Sequence, residues 1–175
     1  MYNERQGCTG NRQTGYGRAD SWDSRPKASP QSIVAESLPD DYGKRAEEAI
    51  SELKRIEDQD RRKSVITTSK LRSLFSLFTE TYNTVSRGDQ EKLDRDQVND
   101  LNAAKVRIYY EIGREDRYNG YMDSAPVGRF VQQSKLLAYL GDIGDNREKL
   151  LRFYHYTEAL VAFHRFCFGE KKDRN

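Results

Sequence analysis

The 175-residue sequence is short of cysteine, of net charge and of long apolar runs. Its two cysteines, Cys8 and Cys167, lie far apart, which excludes a disulfide framework and a cysteine-rich zinc site and favours a reducing, cytoplasmic setting. Lysine and arginine number 30 against 28 acidic residues, so the net charge of +2 gives no strong field over the whole protein. No apolar run approaches the ~20 residues that span a membrane, and we expect no secretory signal. Binding to an anionic polymer would therefore need a local pattern of charge.

Motifs of the common enzyme classes are also absent from the sequence. It contains no Walker A loop, no Rossmann glycine pattern and no His-Glu-x-x-His. His155 and Glu158 are three residues apart, but no nucleophile motif or third group accompanies them. His164 falls on the apolar side of the same predicted helix, so we expect a core or interface histidine. The sequence predicts no catalytic residue, no metal site and no cofactor.

Proline is scarce, and its distribution divides the chain in two. Three of the four prolines lie in the first 39 residues, among glycine and small polar residues without periodicity. We predict a disordered N-terminal tail over residues 1–39 and one helical-bundle domain over residues 40–175. From Asp40 to Ala125 there is no proline, and apolar residues recur at helical spacing.

The pattern predicts an all-α, compact bundle of about five helices, because no alternating strand pattern appears. The first helix should cover residues 41–59, and the second should run from Thr67 or Thr68 to Gly88. The third should begin at a capping box of Asp94 and Gln97 and reach about Arg117. After a loop over 118–126, the fourth should contain residues 130–140, and the fifth should cover 146–168.

The third predicted helix has two different faces. Residues at spacings of three and four form a basic, aromatic-bearing stripe of Arg107, Tyr110, Glu111, Arg114 and Arg117. The opposite, apolar seam consists of Val98, Leu101, Ile108 and Ile112. Lys105 interrupts this seam, and either a groove at the seam or extension of the lysine to the surface would account for it. The stripe suits a phosphate-lined partner, or it is a solvated face stabilised by pairing of Glu111 with Arg107 and Arg114.

Three segments taken together resemble a known family. They are Ile66-Thr-Thr-Ser-Lys-Leu-Arg72, Lys105-Val-Arg-Ile-Tyr-Tyr-Glu-Ile-Gly-Arg114, and Tyr156-Thr-Glu-Ala-Leu-Val-Ala-Phe-His164 followed by Phe168-Gly169. In this order, over roughly residues 45–172, the chain resembles the small subunit of type III-A CRISPR effector complexes, the Csm complexes. The resemblance implies a small helical bundle that is not a nuclease. Several copies would stack beside the backbone subunits and line the groove where guide and target RNA pair.

The resemblance also implies which residues contact the target strand. By matching position these are Lys70 and Arg72 in the second helix and Lys105, Arg107 and Arg114 in the third, and Arg117 extends the stripe. The expected partners are guide and target RNA, the backbone and large subunits and further copies of the chain, without a membrane. Lys70 and Arg72 flank the apolar stripe of the second helix on opposite sides, so they could contact one ligand only if this helix lies along the groove. The alternative is a helical protein–protein adaptor without RNA binding.

Overall fold

A computed structural model describes residues 27, 29, 33–60 and 63–169, and over these residues the all-α fold class is confirmed. The described residues form six α-helices and no strand: α1 (Tyr42–Gln59), α2 (Thr68–Arg87), α3 (Arg95–Gly113), α4 (Pro126–Gln133), α5 (Leu136–Asp142) and α6 (Arg147–Phe168). A 3-10 turn, Met122–Ser124, precedes α4. None of the described helices is long and apolar enough to cross a membrane.

The helices begin where the sequence offers a capping side chain. Asp94 and Gln97 form the complete capping box predicted for α3. The Thr67 hydroxyl accepts a hydrogen bond from the Lys70 amide at 3.2 Å, which satisfies a free N–H in the first turn of α2. Asn146 caps α6 in the same way, accepting from the Lys149 amide at 2.9 Å. The predicted starts of the second, third and fifth helices are therefore confirmed within a residue or two.

The fourth predicted helix is wrong as a single element, because the structure divides it into α4 and α5. Lys135 lies between them in the left-handed region, with φ of 51°. This conformation separates α4 from α5 and changes the direction of the chain before Leu136. The break allows Phe130 on α4 and Leu136 on α5 both to be fully buried. The bundle therefore has one more helix in its described part than the five predicted.

Helix α3 also ends earlier than predicted, at Gly113 rather than near Arg117. The chain turns here, and the Glu115 carboxylate reaches the start of α4, where it accepts a hydrogen bond from the Val127 amide at 2.8 Å. Ala125, at the N-cap position of α4, offers no capping side chain. The early end of α3 thus supplies a cap for α4 from another element.

Helix α6 packs along α1 and α2, and the core lies between these elements. Phe78 and Phe153 meet edge to face, with ring centres 5.2 Å apart. The buried Tyr156 hydroxyl donates to the Ser134 carbonyl at 2.6 Å and so joins α6 to the end of α4. Only one side of α6 is buried, since Phe166 near its end is 88% exposed.

Residues 33–39 have no regular secondary structure and lie against α5 and α6. The Glu36 amide donates to the Ala138 carbonyl at 3.2 Å, and its carboxylate pairs with Lys135 at 2.7 Å. Arg152 donates to the Leu38 carbonyl at 3.3 Å. These contacts depart from the tail predicted over residues 1–39, whose earlier part lies almost entirely outside the described residues. The disorder of that part and a domain start at residue 40 stay predictions.

Two buried polar side chains fix the segment that leads into α2. The His164 ring donates from Nε2 to the Ile66 carbonyl at 2.8 Å, and its Nδ1 lies 3.3 Å from the Thr68 hydroxyl. Arg129 donates to the Ser64 carbonyl at 2.9 Å. His164 is therefore a core histidine, as predicted. Together these contacts set the position of the first turn of α2, which carries Lys70.

Candidate nucleic-acid interface

A buried carboxylate, Glu111, stands at the centre of the basic surface. It is 8% exposed, and three cations from two helices surround it. Lys70 on α2 forms a direct ion pair with one oxygen of Glu111. Arg107 of α3 lies 3.0 Å from the other oxygen, and Arg114, the C-cap residue of α3, lies 3.5 Å from it. We call Lys70, Arg107, Glu111 and Arg114 the cation cluster. It carries three positive charges around one negative charge, so it retains a positive excess.

The local fold explains how the cluster forms. Arg107, Glu111 and Arg114 are spaced by four and three residues, which places them on one side of α3. Lys70 lies in the first turn of α2, and α2 packs against α3. The hydrogen bond from Lys70, together with the charges of Lys70, Arg114 and Arg107, holds the pKa of Glu111 below its ordinary value of 4.5, although burial opposes this shift. Glu111 is therefore ionised at neutral pH, as the three cations require.

Tyr110 adds an aromatic surface to the cluster. Its ring centre lies 4.9 Å from the guanidinium carbon of Arg107 and 5.8 Å from that of Arg114. Both distances suit attraction between a cation and a ring face. Tyr110 is 56% exposed, so the ring and the two guanidinium groups share the solvent-facing side of α3.

The surface between α2 and α3 is only slightly concave. A depression of about 120 Å³ is lined by Lys70, Ser73, Leu77, Arg107 and Glu111, among others. This volume is well below the ~300 Å³ at which pockets for small organic ligands begin. The arrangement can contact an anionic group at its edge but cannot enclose a nucleotide.

The structure places Arg72 on a different side of α2. Arg72 lines a groove of about 270 Å³ between α2 and α6, together with Tyr154, Thr157 and Glu158. Because Arg72 and Lys70 are two residues apart, they point about 200° apart around the helix. The predicted opposition of Lys70 and Arg72 is therefore confirmed, and Arg72 lies outside the cation cluster.

Lys105 and Arg117 also lie outside the cluster. Lys105 is half-buried and two residues before Arg107, so it leaves α3 on the opposite edge. Arg117 is exposed in the turn after α3, near α4. Burial lowers the pKa of the Arg129 guanidinium, and the positive charge of Arg117 lowers it further. The six predicted basic residues thus occupy at least four separate places.

Sequence reasoning missed two features that organise this surface. It paired Glu111 with the arginines of its own helix but gave no sign of the Lys70 contact, which joins residues 41 positions apart. It also did not single out Arg129, which is buried and donates to the carbonyls of Ser64 and Asp123. No local motif marks either feature, because the partners lie in distant segments.

Acid–base and metal chemistry have few candidates in the described part of the chain. His155 and Glu158 form an exposed pair, with Nδ1 and Oε2 3.0 Å apart. Among the described residues, no group of three or more histidine, cysteine or acidic side chains is arranged to hold a metal ion.

Comparison with known proteins places the chain in a family. The family described as Csm2 Type III-A matches residues 43–170. A protein named CRISPR system Cms protein Csm2 from Mycobacterium tuberculosis H37Rv is 35% identical over 109 residues, which cover 62% of this chain and 79% of the relative. The protein of the same name from Streptococcus thermophilus is 34% identical over 131 residues, covering 75% and 94%. That from Enterococcus italicus is 31% identical over 127 residues, covering 69% and 85%.

The fold and the cation cluster define a small helical protein with a cationic surface between α2 and α3. The family match extends over most of the chain and includes all three segments that carry the resemblance. The chain belongs to the Csm2 family of type III-A CRISPR systems.

Proposed function

We propose that this chain is a non-catalytic structural subunit of a type III-A CRISPR RNA-guided interference complex in the cytoplasm. The family match over residues 43–170 supports a place in a Csm complex. The names of its relatives also point to a CRISPR system. In this proposal the chain stacks with further copies of itself beside the backbone and large subunits, and chemical steps belong to other subunits.

Within the complex, the proposed role is to line the guide–target groove and hold the target RNA backbone. The observation that carries this role is the convergence of Lys70, Arg107 and Arg114 on one partly exposed surface. Phosphates attract such a surface, and their contacts fix the position of a strand without reading its bases. A subunit that contacts only the backbone serves every guide sequence equally, which is what an RNA-guided complex requires. Recognition of RNA would then come from the shape of the backbone and its riboses.

The remaining predicted residues have separate roles in this proposal. Arg72 lines the groove between α2 and α6, Lys105 leaves the opposite edge of α3, and Arg117 lies in the turn after α3. We propose that they contact other phosphates of the RNA as it passes from one copy to the next. Repeated weak contacts of this kind bind a long strand through avidity.

A helical adaptor without RNA binding is the second candidate. Phe166 is 88% exposed and Val106 is 68% exposed, and an adaptor would use exposed apolar side chains of this kind for its protein contacts. The adaptor predicts that RNA does not compete with partner binding. The RNA-lining subunit predicts that substitution of the cluster arginines releases target RNA while the protein assembly stays intact.

Co-purification tests the proposed function. The tagged full chain is co-expressed with the neighbouring genes of its locus and purified in moderate salt, and an unrelated tagged protein serves as the control. We expect co-elution of several Csm-type subunits with a discrete guide RNA. Elution of the chain alone, or with unrelated proteins and no RNA, would contradict the proposal.

A further inference from the structure

The cation cluster contains a charge of the wrong sign for its proposed ligand. Glu111 is negative and buried at the centre of a surface that is proposed to hold phosphates. On net charge alone, Glu111 is expected to weaken RNA binding. The contacts of Glu111 with Lys70, Arg107 and Arg114 indicate a different role.

The contacts with Glu111 leave most donors of the three cations unused. Arg107 approaches Glu111 through Nη2 and Arg114 through Nη1. A guanidinium group carries five N–H donors, so each arginine keeps several for a second partner. Both arginine side chains are 52% exposed, and that of Lys70 is one-third exposed. The cluster can thus bind Glu111 and an external anion at the same time.

The same contacts restrict side chains that are otherwise very mobile. Free lysine and arginine side chains lose much rotamer freedom when a ligand immobilises them, and this loss weakens binding. Glu111 lies on a helix and is buried, so it is a rigid anchor for cations from both α2 and α3. The Tyr110 ring supports the two guanidinium groups from a second direction. Part of the ordering that a phosphate would impose is therefore already supplied by contacts within the protein.

We infer that Glu111 is a positioning residue that holds Lys70, Arg107 and Arg114 as one preformed site for a phosphodiester group of the RNA backbone. The site lies over the depression between α2 and α3, whose small volume suits a phosphate edge. The inference rests on the proposed function, since the phosphodiester belongs to the target strand.

Two substitutions separate positioning from charge. Glu111→Gln removes the negative charge, so a count of charges predicts tighter RNA binding, whereas loss of positioning predicts weaker binding. Glu111→Asp keeps the charge but shortens the side chain, so charge alone predicts no change. Asp100→Asn is the matched control, because Asp100 is exposed on the same side of α3 and makes no ion pair with another described residue.

The first readout is dissociation of target RNA from the reconstituted complex, with each variant in all copies. We expect both Glu111 variants to release target RNA about tenfold faster, and Asp100→Asn to stay within about twofold of the parent. The second readout is NMR of the arginine Nε–H groups in the free full-length chain. Positioning predicts greater mobility of Arg107 and Arg114 in both Glu111 variants, and a merely structural role for Glu111 does not.

Each outcome decides the inference. Tighter RNA binding by Glu111→Gln, unchanged RNA binding in both Glu111 variants, or unchanged arginine mobility in both would each overturn it. If Arg107→Ala and Arg114→Ala weaken target binding but the Glu111 variants do not, the positioning role fails and the proposed function survives. If the arginine substitutions also have no effect, the RNA-binding proposal itself fails.

Discussion

At the scale of single residues, Gly128 shows how tightly α4 fits the turn before it. A Cβ atom at this position would lie 2.2 Å from the Met122 carbonyl oxygen, well inside van der Waals contact. Gly128→Ala must therefore move the backbone of the 3-10 turn, and we expect it to lower the free energy of unfolding by about 1–3 kcal/mol. Denaturant unfolding of the full chain measures the change.

Gly113 provides the matched control for this substitution. A Cβ at Gly113, at the end of α3, would have no atom within 4 Å. Gly113→Ala should therefore raise the free energy of unfolding by about 0.4–1 kcal/mol, because alanine has fewer unfolded conformations to lose. Equal changes in the free energy of unfolding for the two substitutions would show that the close contact at Gly128 does not destabilise the alanine variant.

The site residues differ in how well the sequence predicts them. The spacing of Arg107, Glu111 and Arg114 on one helix is enough to predict that they meet. Once Lys70 and Arg107 are known to belong to the cluster, helix spacing also predicts that Arg72 and Lys105 lie outside it. Each is two residues from a cluster member on the same helix and therefore points away from it. The contact of Lys70 with Glu111 could not be predicted, because it depends on how α2 packs against α3.

At the scale of elements, acid changes the stabilising effects of two nearby glutamates in opposite directions. Glu111 lies on α3, and Glu115 lies in the turn that follows it. The pKa of Glu111 is lowered, chiefly by its hydrogen bond with Lys70. The ionised side chain therefore stabilises the fold above pH 4.5, the ordinary pKa of a glutamate, and this stabilisation is lost as the pH falls through the lowered pKa. Burial raises the pKa of Glu115, which caps α4, although the amide of Val127 opposes this. The buried charge of Glu115 therefore lowers the free energy of unfolding above the raised pKa, and this destabilisation disappears as the pH falls through that pKa.

Unfolding measurements from neutral pH to below pH 4.5 test these signs. The advantage of the parent over Glu111→Gln should shrink on acidification below 4.5. The stability of the parent relative to Glu115→Gln should instead rise as the pH falls toward 4.5. Differences that move in the same direction for both variants would contradict the assigned pKa shifts.

The helix ends explain where prediction of the elements succeeds and fails. Asp94, Thr67 and Asn146 act through contacts within four residues, so the local sequence is sufficient to predict them. The break at Lys135 has no glycine or proline to mark it. It depends on the burial of Phe130 and Leu136 in the assembled core, which only the whole bundle determines. For the same reason, the sequence does not show that Glu115 leaves α3 to cap α4.

At the scale of the whole molecule, a nearly neutral chain concentrates positive charge in one place. Its net charge is only +2, but three cations surround a single buried carboxylate at the junction of α2 and α3. The contacts of His164 and Arg129 hold the segment before α2, and so they connect the core to the position of Lys70. The fold thus provides a fixed cationic surface without making the entire protein basic, which limits non-specific attraction to other nucleic acids.

The most direct test of the RNA-binding proposal is the salt dependence of target RNA binding to the reconstituted complex. The variant is Arg107→Ala/Arg114→Ala, and the control is Arg55→Ala/Arg87→Ala, which removes the same charge from exposed positions outside the cluster. Removing one arginine–phosphate interaction should lower the slope of log affinity against log salt by roughly 0.7–0.9. We expect the cluster variant to assemble normally, to release target RNA at raised salt and to show a reduced slope, while the control resembles the parent. A cluster variant that assembles and holds target RNA like the parent at raised salt, or a control that releases as much, would contradict a specific role for Arg107 and Arg114.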